Sequence, residues 1–344
     1  MTVHRTLAVA GILLFTSACS IQRQQPPSMS ADDHMSHMQA ADLRAPRIVT
    51  SSGGEVSQGN PGLPASNAQV AARLAASPRH GEWVKIAWEP GSRDSLMAWI
   101  VYPMTTRAKS PVVVVVHEIF GLSTWVRGVA DQAAAEGFIA IAPDLLSRVR
   151  GGPSADTLRY DSATKIIRGV DIAERNKGIT AVANYAMSQA SAAPKYAVIG
   201  YCWGGSTTWG AAVNNGRGFS GGVAFYGAFP YMTAAVAGGA GAAPIADSMA
   251  KIKQPVMLLS GSKDPRIGAS MPAIDSAMKA MGKWYYGKNY DGAVHGFLRA
   301  QDDPKAPSAQ CDEACVVKER ADNLAAVKDG WPKTVDFLKK NLGI

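Results

Sequence analysis

The chain has 344 residues, of which 47% are hydrophobic and 18% are charged, and its formal net charge is +8. This composition excludes a disordered or fibrous chain, and the length is ample for a buried core that does not depend on disulfides. The basic residues are scattered in singles and pairs, so the net charge does not indicate a nucleic-acid partner.

The first 18 residues have the features of an export signal. Arg5 lies in a short polar start, an apolar run follows over 7–15, and small residues precede Cys19. The apolar run is too short to span a bilayer. Small residues directly before a cysteine resemble the lipobox of bacterial lipoproteins, although Thr16 departs from the aliphatic residue usual three positions before that cysteine. We therefore expect an exported envelope protein that is lipid-anchored at Cys19, with cleavage without lipid and a periplasmic protein as the alternative.

Residues 19–76 are rich in Ser, Gln, Ala, Pro, Gly and Asn and contain hardly any aliphatic cluster. Such a segment buries too little apolar surface to offset its ordering entropy, which predicts a flexible tether. Thioether and imidazole side chains that could hold copper lie close together in this segment: Met29, His34, Met35, His37 and Met38. We favour a solvated linker without a metal, because nothing there fixes a coordination geometry.

From residue 77 onwards, short apolar runs alternate with helical periods. The runs 83–88 and 96–102 predict an opening antiparallel hairpin, and five consecutive valines at 112–116 predict a strand buried on both faces. Further strands are predicted at 138–142, 196–201, 222–226, 255–260 and 284–290, and helices at 124–136, 166–189, 205–213, 271–281 and 323–342. The alternation predicts one α/β domain over 77–344, with a mainly parallel central sheet and helices on both faces. We expect a monomer, because the sequence has no heptad repeat or long apolar surface stripe.

The segment GYCWGG at 200–205 lies between a predicted strand and a predicted helix. It matches the nucleophile-elbow pattern GxSxG, with Cys202 in the place of the serine. A cysteine at a helix N-terminus is favoured as the thiolate by the helix dipole and by any nearby imidazolium. The alternative interpretation of Cys202 is a small buried core residue.

A cysteine nucleophile needs a base. Four of the six histidines lie in the leader, in the tether or before the first strand, which leaves His117 and His295. His295 follows the last predicted strand, and Asp264 follows the strand before it. Cys202, Asp264 and His295 stand in the chain order nucleophile, acid, histidine of the α/β-hydrolase fold. In such a triad His295 takes the thiol proton, and Asp264 orients the imidazole ring.

The loop after the valine run carries further candidates. In this fold one oxyanion-hole N–H comes from that loop and the other from the residue after the nucleophile, which predicts the backbone N–H groups of Ile119 and Trp203. Glu118 places a carboxylate at the mouth of a buried strand, where it needs a partner or must pay for desolvation.

Together these residues resemble the dienelactone hydrolase family, the carboxymethylenebutenolidases, within the α/β-hydrolases. The resemblance covers residues 80–342 and rests on five motifs: HEIFG at 117–121, APDLLSR at 142–148, GYCWGG at 200–205, GSKDP at 261–265 and YDGAVHGFLR at 290–299. It implies the α/β-hydrolase fold and a Cys-His-Asp triad without a metal or organic cofactor. It also implies a hydrolase that cleaves a small lactone or activated carboxylic ester through a cysteine acyl-enzyme.

The resemblance implies roles for three further residues. Glu118 would pair with the cysteine in the resting enzyme, and Arg148 and Arg299 would bind the carboxylate of an anionic substrate. The alternative for the two arginines is surface salt bridging. His117 stands where the family commonly has glutamine.

Two other functions stay open at this point. One is a non-catalytic envelope lipoprotein that uses the fold for binding, and the other is a hydrolase of peptides or polymers. Cys311 and Cys315, in a polar segment before the last helix, could form a local disulfide in an oxidising compartment. Two free thiols are the alternative.

Overall fold

The computed structural model describes residues 59–105, 107–154, 156, 158–233, 242–301 and 312–344. The predicted export signal, Cys19, the Met and His residues of the predicted tether, and Cys311 lie outside the described residues. Within the described ranges, no helix combines the length and apolar character needed to cross a membrane. In chain order the elements are α1 (Val70–Ala75), β1 (Gly81–Ala87), β2 (Ser95–Val101), β3 (Ser110–Val116), α2 (Thr124–Ala135), β4 (Ile139–Asp144), α3 (Ser147–Arg150), α4 (Tyr160–Arg168), α5 (Ile172–Met187), β5 (Ala192–Tyr201), α6 (Trp203–Asn214), β6 (Phe219–Phe225), α7 (Ala246–Ala250), β7 (Val256–Gly261), α8 (Pro265–Ala280), β8 (Tyr285–Tyr290), α9 (Phe297–Ala300) and α10 (Glu313–Leu342).

The strands form one eight-stranded sheet in the order β1-β2-β4-β3-β5-β6-β7-β8. β2 is antiparallel to both of its neighbours, whereas every pair from β4 to β8 is parallel. The predicted α/β-hydrolase architecture, with its opening hairpin and mainly parallel sheet, is confirmed. Because β3, β5, β7 and β8 run in the same direction, the segments that follow them meet at one edge of the sheet.

The valines of β3 show how the sheet divides the core. All five are fully buried, and they alternate between the two faces. Val113 and Val115 join the core that α2 and α10 cover, whereas Val112, Val114 and Val116 join the core under α5 and α6. A uniform β-branched run therefore forms a central strand, because both of its faces are covered by helices.

Helices α5, α8 and α10 begin at other residues than the sequence predicts. The predicted helix 166–189 is two helices, α4 and α5, and both α8 and α10 begin earlier than predicted. In each case an aspartate side chain accepts a backbone N–H of the first turn: Asp171 for α5, Asp264 for α8 and Asp312 for α10. These local caps satisfy N–H groups that have no intrahelical acceptor, so they decide where a helix starts.

The last part of the predicted tether packs on the domain. Its buried apolar side chains join the core beside α2: Leu63, Ala65 and Val70. The indole N–H of Trp125 donates to the carbonyl of Ala65 at 3.1 Å, and the amide of Gln301 donates to the carbonyl of Pro64 at 2.7 Å. Residues 59–76 thus differ from the prediction of a flexible tether. A few apolar residues are sufficient to hold this segment on the domain, because the folded domain supplies the rest of the apolar contact surface.

We expect Leu63→Ala to destabilise the protein by about 2–4 kcal/mol, the usual cost of truncating a buried leucine. The measurement is the urea midpoint of the variant against that of the wild type. Met104→Ala is the control, because the Met104 side chain is 72% exposed and its removal should leave the midpoint unchanged. Equal midpoints for Leu63→Ala and the wild type would mean that residues 59–76 do not pack on the domain.

Candidate active site

Cys202 lies in a tight turn between β5 and α6, with φ of 55° and ψ of −113°. Its backbone N–H donates to the carbonyl of Phe225 at 3.0 Å. A Cβ atom on Gly200 would lie 2.1 Å from the carbonyl oxygen of Gly204, and one on Gly204 would lie 2.4 Å from the carbonyl oxygen of Val116. Only glycine therefore fits at these two positions, and the strained turn raises the thiol above the edge of the sheet.

The loops after β5, β7 and β8 bring Cys202, Asp264 and His295 together. Nδ1 of His295 lies 2.5 Å from Oδ2 of Asp264, whose side chain is completely buried. The other carboxylate oxygen of Asp264 accepts the backbone N–H of Ile267 at 3.5 Å, so the helix cap also holds the carboxylate in place. On its other side, the imidazole of His295 lies beside the Cys202 side chain. The three residues thus form one continuous chain of contacts.

The charges around His295 favour its protonated form. Burial alone would lower the pKa of His295, but the negative charge of Cys202, the hydrogen bonds to Asp264 and Cys202, and the charge of Asp264 outweigh burial and raise that pKa to about 10. An imidazolium that lies between a thiolate and a carboxylate is the arrangement in which a cysteine can act as a nucleophile.

Glu118 and Arg299 form an ion pair beside this chain of contacts. Nε of Arg299 lies 3.1 Å from Oε2 of Glu118, and both side chains are largely buried. Arg299 belongs to α9, which directly follows the His295 loop, and Glu118 follows β3. The structure therefore brings these two predicted residues together. The pairing of Glu118 with Cys202 that the resemblance implies stays a prediction.

Arg148 lies in a different setting. Its guanidinium is 2.9 Å from a carboxylate oxygen of Asp94, forms a second ion pair with Glu174, and stacks 4.5 Å from the ring centroid of Trp88. None of these partners belongs to the triad or to the Glu118–Arg299 pair. The contacts match the surface salt bridge that was the alternative interpretation, and substrate binding by Arg148 stays a prediction that no described contact supports.

The two predicted oxyanion donors belong to residues that pack in one cluster with the nucleophile. Ile119 and Trp203 pack in the same small apolar cluster as Cys202 and Tyr160. In the part of the chain that the structure describes, neither the N–H of Ile119 nor that of Trp203 has a hydrogen-bond acceptor. Both groups are thus available to a ligand that reaches the thiol.

Tyr226, which directly follows β6, also lies at this site and is not among the residues predicted from the sequence. Its φ is 39°, and its ring centroid lies 4.9 Å from that of His295. Burial raises the pKa of its phenol, and the charge of Glu118 raises it further, so the hydroxyl stays neutral beside the triad. The sequence feature that could have identified Tyr226 is its position directly after a buried strand. The segments that follow β3, β5, β7 and β8 at the same edge carry the predicted site residues.

The sequence also leads us to expect no metal ion at the active site and a disulfide between Cys311 and Cys315. Among the described residues, no three histidine, cysteine or acidic side chains are grouped to hold a metal ion. Cys315 is disulfide-bonded, whereas Cys202 is a free cysteine. Because Cys311 lies outside the described residues, its pairing with Cys315 stays a prediction.

The sequence is similar to a known family. The model of the dienelactone hydrolase family matches residues 96–342. A protein of Escherichia coli that carries the name carboxymethylenebutenolidase is 27% identical over 256 residues, which are 73% of this chain and 84% of that protein. A protein of Salmonella typhi with the same name is 34% identical over 142 residues, which are 40% of this chain and 50% of that protein. The match therefore spans only about half of the length of this second relative.

Solved structures share the architecture. A structure from Klebsiella pneumoniae that is named as a dienelactone hydrolase has a TM-score of 0.56 and 24% identity, and covers 75% of this chain and 98% of its own. A dienelactone hydrolase-like promiscuous phosphotriesterase from metagenomic libraries has a TM-score of 0.56 and 20% identity, with coverages of 76% and 98%. At these identities the similarity establishes the fold alone.

Removal of the thiol should lower the pKa of His295. In Cys202→Ala the imidazolium loses the adjacent negative charge and a hydrogen bond, so its pKa should fall from about 10, and the ring should become neutral at lower pH. The measurement is an NMR titration of the labelled imidazole. His117, whose pKa burial lowers, is the internal control and should titrate as in the wild type. An unchanged pKa of His295 would contradict the contact between the two side chains.

Proposed function

The chain belongs to the dienelactone hydrolase family, and we propose that it hydrolyses a small lactone or activated carboxylic ester through an acyl-enzyme on Cys202. The observation that carries the proposal is the buried series of contacts from Asp264 through His295 to Cys202, at the strained turn that exposes the thiol. A core cysteine that serves only for packing needs neither an adjacent imidazole nor a φ of 55°.

The acylation step follows from this geometry. Sγ of Cys202 attacks the carbonyl carbon, a C–S bond forms, and the π electrons of the carbonyl move to its oxygen. The N–H groups of Ile119 and Trp203 stabilise this oxyanion. When the oxyanion collapses, the C–O bond of the ester breaks and His295 gives its proton to the departing oxygen. In a lactone the departing oxygen stays attached to the acyl group, so the acyl-enzyme carries the whole substrate.

Deacylation uses the same residues in the reverse direction. His295, now neutral, takes a proton from a water molecule that attacks the thioester carbon. The C–S bond breaks, the carboxylic acid leaves, and the thiolate and imidazolium are restored. Asp264 stays ionised throughout and keeps the ring oriented, as its bond to Nδ1 of His295 requires.

The ion pair of Glu118 and Arg299 supports an anionic substrate. A substrate carboxylate that reaches Arg299 competes with Glu118 for the guanidinium. A largely buried Glu118 that loses its counter-charge has a greater tendency to take up a proton from solvent. A neutral Glu118 would no longer compete with the substrate carboxylate for Arg299.

The test is hydrolysis of a carboxylate-bearing enol lactone, its methyl ester and an aryl acetate. We expect the wild type to prefer the free acid, and Cys202→Ala to lose turnover of all three compounds, because no nucleophile remains. Arg299→Gln should raise the KM for the free acid by about tenfold, because the loss of one charge-assisted hydrogen bond weakens binding by about that factor. The KM for the methyl ester should stay almost unchanged. Lys339→Gln is the matched control, because it removes a cation paired with Glu136, just before β4 at the amino end of the parallel strands.

The outcomes separate the parts of the proposal. Turnover by Cys202→Ala equal to that of the wild type would contradict the acyl-enzyme. Equal effects of Arg299→Gln on the free acid and the methyl ester would contradict carboxylate binding by Arg299. An aryl phosphotriester or a peptide cleaved faster than every carboxylic ester would contradict the proposed substrate class, and tight binding without any turnover would favour the non-catalytic alternative.

We also propose that the protein is exported and held in the cell envelope by a lipid on Cys19. The apolar run 7–15 and the small residues before Cys19 support this proposal. The disulfide-bonded state of Cys315 supports it independently, because structural disulfides persist in oxidising compartments.

In a bacterial host, the full-length chain should yield a mature protein that begins at a diacylated Cys19 and fractionates with membranes. Cys19→Ser should remove the lipid, because the thiol is the acylated group. Mass spectrometry of the N-terminal peptide and cell fractionation measure both effects. A wild-type N-terminus without lipid would contradict anchoring, and a wild-type protein that retains Met1 would contradict export as well.

A further inference from the structure

His117 is fully buried at the end of β3, and the proposed chemistry assigns it no role. Its Nδ1 lies 2.5 Å from the carbonyl oxygen of Glu118, and its Nε2 lies 3.0 Å from the backbone nitrogen of Leu145. A carbonyl can only accept and an N–H can only donate, so Nδ1 carries the proton and Nε2 carries the lone pair. The two contacts therefore fix one tautomer of a neutral ring.

The carbonyl of Glu118 and the N–H of Ile119 belong to the same peptide group. A hydrogen bond from Nδ1 of His117 to this carbonyl fixes the plane of the peptide, and with it the direction in which the N–H of Ile119 points. It also polarises the peptide, which makes that N–H a stronger donor. The bond from Leu145 holds the ring to the end of the neighbouring strand β4.

The same ring contacts the residue that carries the second donor. The imidazole stacks on the indole of Trp203, with ring centroids 5.4 Å apart and planes inclined by 13°. Backbone contact is close here as well, since a Cβ on Gly204 would lie 2.5 Å from the carbonyl oxygen of His117. The guanidinium of Arg175 lies 4.7 Å from the Trp203 ring centroid and further restrains the indole.

We propose that His117 is a positioning residue that sets the oxyanion hole, by fixing the N–H of Ile119 through the Glu118 carbonyl and the N–H of Trp203 through its indole. The inference rests on the proposed function, in which these two N–H groups stabilise the tetrahedral intermediate. It adds a residue that acts on both donors at once, through the Glu118 carbonyl and the Trp203 indole.

The charged groups around the ring are compatible with its neutral state. Burial lowers the pKa of His117, against the opposing effects of Asp144 on β4 and of the backbone bond to Glu118. The Arg175 guanidinium on α5 approaches from the side of the indole. A proton on Nε2 would remove the acceptor for the Leu145 N–H, so the bridge depends on the neutral form.

The test compares His117→Phe with His117→Gln in the purified full-length protein. Phenylalanine keeps an aromatic ring for Trp203 and removes both hydrogen bonds, whereas glutamine has a donor for the Glu118 carbonyl and an acceptor for the Leu145 N–H. The probe is an aryl trifluoromethyl ketone. Sγ of Cys202 adds to its carbonyl carbon, a C–S bond forms, and the π electrons move to the oxygen, which gives a stable oxyanion that fluorine NMR can quantify.

We expect His117→Phe to weaken the ketone adduct by about tenfold or more, since a misplaced donor forfeits much of the effect of an oxyanion-hole bond. His117→Gln should retain the adduct within about threefold of the wild type, because it restores both hydrogen bonds. Alkylation of Cys202 by iodoacetamide needs the thiolate and no oxyanion hole. Its rate, read by mass spectrometry of the Cys202 peptide, should stay within about twofold in both variants.

An adduct of equal affinity in the wild type and in folded His117→Phe would overturn the positioning role. A parallel loss of adduct and alkylation would also overturn it, because it would indicate general damage to the site. If His117→Phe does not fold, the test rests on folded His117→Gln. An adduct weakened tenfold or more in that variant would overturn the role of the two hydrogen bonds, and an adduct of retained affinity would support that role. A wild type that forms the adduct but cleaves no ester would contradict the proposed function and leave this comparison intact.

Discussion

The close approach of backbone at the nucleophile turn is the constraint on which the rest of the site depends. Gly200 and Gly204 have no side chains, so the start of α6 reaches the end of β3 at a distance that no other residue permits. This contact brings together the Cys202 thiol, the loop with Glu118 and Ile119, and the first N–H groups of a helix. A side chain at either glycine would push these elements apart, and the triad would lose its geometry even with all three of its residues present.

The buried charges at the sheet edge occur in compensated groups. Cys202, the imidazolium of His295 and the carboxylate of Asp264 form one group, and Glu118 with Arg299 forms another. His117 contributes a neutral ring that uses both of its nitrogens in hydrogen bonds. Buried charges without partners are costly, so each group needs its members in place before substrate arrives. The edge is thus organised for the proposed reaction in the absence of a ligand.

Residues 59–76 contact the part of this edge that carries Arg299. The N–H of Asn67 donates to the carbonyl of Arg299 at 3.0 Å, and Gln301 holds the carbonyl of Pro64. Because Arg299 pairs with Glu118 and follows the His295 loop, packing of this segment supports the helix that carries a proposed substrate-binding residue. Composition did not reveal this role, since a few buried side chains among many polar ones look the same in a linker and in a docked segment.

The features of this protein that depend on neighbours along the chain can be predicted from its residues alone. Five valines predict a central strand, glycines around Cys202 predict the tight turn, and the chain order of Cys202, Asp264 and His295 predicts their meeting at one edge, because parallel strands end on the same side. Only the tertiary structure decided which distant residues pair: it engaged Arg148 with Asp94 and Glu174, paired Arg299 with Glu118, and stacked His117 on Trp203. Such pairings depend on distances that packing sets between elements far apart in sequence, and no local pattern of residues encodes those distances.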